Sequence, residues 1–126
     1  VSDLFEELKP ILLEASRTPL GQKAVNSHAE DFDVEVAGRG AIHVTFTGRA
    51  VEIGDGPSPR QEPLHYSLVQ LDPATLEAIL GGRLSPVDAM ETGKLFLRTR
   101  LYGGALITIL LRAAYDLARQ RKLEAA

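Results

Sequence analysis

The sequence predicts an α+β fold, a five-stranded and mostly antiparallel sheet covered by helices on one face. Three observations predict it. Short segments with a two-residue apolar period alternate with segments of helical period. A capping residue followed directly by proline marks helix starts at Thr18-Pro19, Asp72-Pro73 and Ser85-Pro86. The last helical segment carries more apolar surface than one sheet can cover.

Leu4, Leu8, Ile11, Leu12 and Ala15 fall at helical spacing behind Ser2, a fitting N-cap, so the chain opens with an amphipathic helix that Pro10 is expected to kink or restart. A short second helix follows from Pro19 to Val25, and helical character ends near Asn26 to Glu30. From Phe32 the period becomes two. Phe32, Val34 and Val36 alternate with Asp33, Glu35 and Ala37, a strand with Asp33 and Glu35 on its wet face. Gly38-Arg39-Gly40 turns the chain into a second strand, where Ile42, Val44 and Phe46 alternate with His43, Thr45 and Thr47. Val51 and Ile53 have the opposite parity to Phe46, so the glycine at position 48 marks another hairpin turn or a bulge, with the second and third strands antiparallel. Gly54 to Pro63 is too rich in glycine and proline to pair in a sheet, and Leu64 to Leu71 resumes as a fourth strand.

Asp72 caps a helix with the apolar stripe Leu76, Ile79 and Leu80, ended by Gly81-Gly82. Ser85 caps a shorter one, with Asp88 three residues on and Gly93 as its stop. Lys94 to Leu101 alternates Leu95, Leu97 and Thr99 against Phe96, Arg98 and Arg100, a fifth strand, and Tyr102-Gly103-Gly104 turns into the last helix, Ala105 to Arg121.

With 126 residues, 44% apolar and 25% charged, the chain is expected to form one domain over 1–126. A net charge of −3 without a basic stripe argues against a nucleic-acid partner. The absence of cysteine excludes thiolate metal sites, thiol redox chemistry and disulfides, and fits a cytoplasmic location. Val1 to Leu13 lacks the basic start and unbroken apolar run of a signal peptide. A start at Val1 rather than Met is what processing or trimming would leave. The apolar run Leu106 to Leu111 is far short of the ~20 residues that span a bilayer, so no stable membrane insertion is expected.

Catalytic and metal chemistry find little support. His28, His43 and His65 fall in different elements without ligand spacing, Ser67 and Ser85 lack a nucleophile elbow, and no Gly-x-Gly-x-x-Gly cradle is present. The chain is expected to be no enzyme and to need no cofactor. Arg98 and Arg100 share a strand face that could grip an anionic head group, though solvent-facing charge explains them as well.

The last helix is the informative element. At about 100° per residue, its apolar residues from Ala105 to Ala118 cover roughly 240°, whereas a helix lying on one sheet needs only about 100°. The surplus must meet more of the protein such as the N-terminal helices, a partner subunit, a membrane surface or a bound lipid-like small molecule.

The run from Leu76 to Leu95 contains Gly82-Arg83-Leu84-Ser85-Pro86, then Ala89-Met90, then Gly93-Lys94-Leu95. It resembles the signature of the sterol carrier protein 2 family, and the strand order from Phe32 to Leu117 is similar as well. The resemblance implies a sheet and helices enclosing an apolar tunnel for fatty acyl, sterol-like or prenyl lipids, with no metal or organic cofactor. It implies a non-catalytic binding or carrier role; an interaction or dimerisation domain, or an accessory to quinone or lipid biosynthesis, is the alternative. Residues expected to line the tunnel are Val44, Phe46, Leu68, Ile79, Met90, Phe96, Leu101, Leu106, Ile107, Leu110, Leu111 and Ala114. The chain departs from the common pattern at Ala41-Ile42-His43, where many members carry tryptophan, and at Thr99-Arg100-Leu101, where Gly-Asp is frequent. A sterol is therefore not carried over as the ligand.

Overall fold

The computed structural model describes residues 1–59, 66–98 and 105–125, apart from the side chains at 66 and 105. In chain order the elements are α1 (Asp3–Ser16), α2 (Pro19–Val25), β1 (Ala29–Val36), β2 (Gly40–Thr47), β3 (Val51–Asp55), β4 (Tyr66–Leu71), α3 (Pro73–Leu80), α4 (Pro86–Glu91), β5 (Leu95–Arg98) and α5 (Ala105–Ala125). The five strands lie in the order β3-β2-β1-β4-β5. Every neighbouring pair is antiparallel except β1 and β4, which run parallel, so the sheet is mixed.

The caps form as the side chains dictate. Ser2, Thr18, Asp72 and Ser85 each accept a hydrogen bond from the amide three residues on, which satisfies a donor that the first helical turn leaves open. Pro10 does not restart the helix, and α1 runs through it as one element. It lies on the exposed side, where water can take up the carbonyl it leaves unpaired, while Leu4, Leu8, Leu12 and Ala15 anchor the opposite side in the core. Two elements run further than their sequence patterns indicate. β1 begins at Ala29, which pairs with Thr47, and α5 continues to Ala125 because no breaker follows Arg121.

Alternation divides the sheet into two faces. Phe32, Val34, Val36, Ile42, Val44, Phe46, Val69, Leu71 and Leu95 point inward and are buried beneath the helices. Phe32 and Phe46 meet edge to face with centroids 5.6 Å apart. The outer face carries Asp31, Asp33, Glu35, His43, Thr45, Leu68, Gln70, Phe96 and Arg98. Asp33 is not on a wet face, however: it is 3% exposed. The chain leaving β3 folds back over it, so the Ser58 amide donates to Asp33 Oδ1 at 2.6 Å and His43 Nδ1 donates to the Gly56 carbonyl at 3.0 Å.

Candidate functional site

The apolar layer between α5 and the inner sheet face is the place where the predicted site residues gather. Val44 and Phe46 come from β2, Ile79 from α3, and Leu106, Ile107, Leu110, Leu111 and Ala114 from α5; all are buried in one contiguous core. Met90, on α4, is partly buried against the same core. Leu68 and Phe96 are not brought here. Leu68 stands opposite Arg98 on the outer face, beside Asp33, and Phe96 pairs with Gln70 on that same face and is 59% exposed. Their neighbours Val69, Leu95 and Leu97 take the inward positions. Leu101 lies outside the described residues, as do His65, Thr99 and Arg100.

The layer also holds residues that the list omitted. Phe32, Val34 and Ile42 share the inward parity of Val44, a signal visible in the sequence, and Leu8 and Leu12 share the stripe of α1. Less legible are Glu30 and Ser67, polar side chains buried on the inward parity of β1 and β4. His28 Nε2 lies 3.8 Å from Glu30 Oε1.

The wide apolar arc of α5 finds its cover within the chain. α1, α2, α3 and α4 all pack on α5, and among its described residues from Leu106 to Ala118 the apolar side chains are buried or partly buried. Polar contacts hold α1 in place over the layer. Ser2 Oγ donates to Asp55 Oδ1 at 2.7 Å, Arg39 pairs with Glu7 at 2.7 Å, and Arg121 pairs with Glu14 at 2.7 Å. The hydrogen bond from Arg121 holds the Glu14 carboxyl below its ordinary range, and the hydroxyl bond from Ser2 does the same to Asp55.

Two grooves among the described residues open on other surfaces. One of about 840 Å³ crosses the outer face from β2 to β5, and another of about 540 Å³ lies beyond Ser58, against Asp31, His43, Thr45 and Glu52. Among the described residues no group of three or more His, Asp or Glu side chains is placed to hold a metal ion, and no helix is long and apolar enough to cross a membrane.

No protein-family model and no curated protein sequence matches the chain. Solved structures do. UbiJ-SCP2, a ubiquinone synthesis protein, superposes with a TM-score of 0.61 at 19% identity, over 91% of this chain and 95% of its own. Palmitated SCP2L2 from Aedes aegypti gives 0.57 at 19% identity over 90% and 95%. The sec-alkylsulfatase Pisa1 from Pseudomonas sp. gives 0.53 at 15% identity, over 71% of this chain and only 13% of its own, so the same fold also occurs as a small part of an enzyme. At these identities the likeness establishes the fold, which is that of sterol carrier protein 2.

Proposed function

We propose that this protein is a non-catalytic binding or carrier domain for an apolar chain, fatty acyl or prenyl, held between α5 and the inner sheet face. The observation that carries the reading is the junction of two facts. The fold is one in which a palmitated neighbour has been solved, and this chain fills the corresponding interior with aliphatic and aromatic side chains from every helix and strand. Binding then requires the helices to part from the sheet by about 4 Å, one hydrocarbon thickness. Ligand affinity comes from burying methylenes, each worth about 0.8 kcal/mol. The quinone-accessory reading rests on the near full-length superposition with the ubiquinone synthesis protein and differs only in the ligand, a prenyl tail in place of an acyl chain. A second copy of the chain is not needed to cover α5, because its own helices do so.

The test is native mass spectrometry of the gently purified protein, followed by displacement of a fluorescent fatty acid by saturated acids of increasing length and by prenyl alcohols. A retained lipid on the monomer is expected. Affinity should rise about fourfold per added methylene until the layer is full. Failure of acyl and prenyl probes alike to bind the folded, delipidated protein overturns the proposal.

A further inference from the structure

The outer face of the sheet plays no part in that reading, and it has its own chemistry. Strand pairing sets Ala41, Glu35, Gln70 and Phe96 in one row across β2, β1, β4 and β5. This row contributes to the lining of the 840 Å³ groove. Phe96 offers an exposed aromatic ring at one end. Glu35 accepts a 3.4 Å hydrogen bond from Gln70 Nε2, long enough to be given up to a better donor. Asp33 is buried beneath Ser58, so the carboxylate that the row itself presents is that of Glu35, with Asp72 and Lys94 at the groove's edge.

The geometry of the row selects its occupant. Glu35 and Phe96 are two strand spacings apart, about 9.6 Å at about 4.8 Å each. In a fully extended β-segment, residues on one side recur about every 6.8 Å, which does not match. A polyproline-type helix has three residues per turn and a rise of about 3.1 Å, so residues three apart share a side at about 9.3 Å. We propose that this groove takes a polyproline-like segment of a partner protein, with a basic residue over Glu35 and an apolar residue three positions away over Phe96. The carboxylate supplies charge complementarity and the aromatic ring supplies apolar contact. The Gln70 amide, between them, can both donate to and accept from the backbone of the segment, which has no internal hydrogen bonds of its own.

Fluorescence anisotropy on the full chain tests this, with a labelled Pro-Pro-Arg-Pro-Pro-Leu-Pro-Pro probe and its counterpart with glutamate in place of arginine. The basic probe should bind at least about tenfold more tightly. Glu35→Lys should invert that preference, and Phe96→Ser should weaken the basic probe at least about fivefold. Both variants should bind the fluorescent fatty acid as the parent does, since neither side chain faces the inner layer. If Glu35→Lys fails to fold, the isosteric Glu35→Gln must still reduce the preference. A parent that does not distinguish the two probes, or a Glu35 variant that leaves their ranking intact, overturns the proposal.

Discussion

Gly82 and Gly93 share one backbone angle, φ +72°, just beyond α3 and α4. Their surroundings differ. A Cβ added at Gly93 would meet nothing within 4 Å, whereas at Gly82 it would stand 2.9 Å from the Arg119 backbone nitrogen and 3.2 Å from the Ala118 carbonyl carbon. Gly93→Ala therefore carries left-handed strain alone, about 1–2 kcal/mol. The stiffer unfolded chain offsets about 0.4–1 kcal/mol of it. The net loss is about 0.5–1 kcal/mol, or roughly 2–5 °C in Tm for a chain of this size. Gly82→Ala carries the same strain plus overpacking against a helix backbone that cannot swing aside, which adds about 1–3 kcal/mol. Thermal unfolding followed by circular dichroism should therefore show Gly82→Ala melting well below Gly93→Ala. If the two variants melt within about a degree of each other, the close approach of the α3 terminus to α5 is wrong, and with it the packing that closes this side of the apolar layer.

Two further outcomes follow from the packing and the surface charge. Leu110→Ala empties a position that is 0% exposed at the centre of the layer and should cost about 2–5 kcal/mol in urea unfolding, whereas Leu123→Ala, at a position 73% exposed, should stay within about 0.5 kcal/mol of the parent. The Arg121 bond lowers the Glu14 pKa in the folded chain, so the stability this pair contributes is present above the carboxylate's ordinary pKa and is lost as pH falls through the lowered folded value. Arg121→Gln should accordingly lower the neutral plateau of a Tm-against-pH profile slightly and leave its acid end at the parent's value, so that the acid limb flattens, and an unchanged profile would sink the assignment.

Much of the fold was legible because its determinants are local. Thr18, Asp72 and Ser85 each sit directly before a proline, and cap and proline together define a helix start without reference to the rest of the chain. The inward parity of Phe32, Val34, Ile42, Val44 and Phe46 was equally plain. What the sequence hid depends on distant partners. Asp33 reads as solvated because nothing near it says that the Ser58 amide, 25 residues away, will cover it. In β4 the polar Ser67 is buried and the apolar Leu68 only partly so, and in β5 the larger Phe96 faces out while Leu95 and Leu97 face in, so polarity and size misassign the face. The width of the α5 arc was readable, but its cover was not, because four helices separated from it in sequence supply it.

The inner layer carries its own limit on selectivity. Its central residues, Ile79, Ile107, Leu110, Val44 and Phe46, offer no hydrogen bond to a ligand, so they can distinguish ligands only by length and shape. An apolar pocket separates neighbours that differ by one methylene by only about 1–3 kcal/mol, whereas a site built to pair with a polar group rejects its absence far more strongly. The buried polar side chains on the same sheet face, Glu30 and Ser67, occupy one end of it: Glu30 stands opposite Phe46, and Ser67 beside Phe32. If an acyl or prenyl chain occupies this layer as proposed, contact alone recognises it along its length, and among the described residues of this sheet face the Glu30 end of β1 is where a polar head would meet polar side chains.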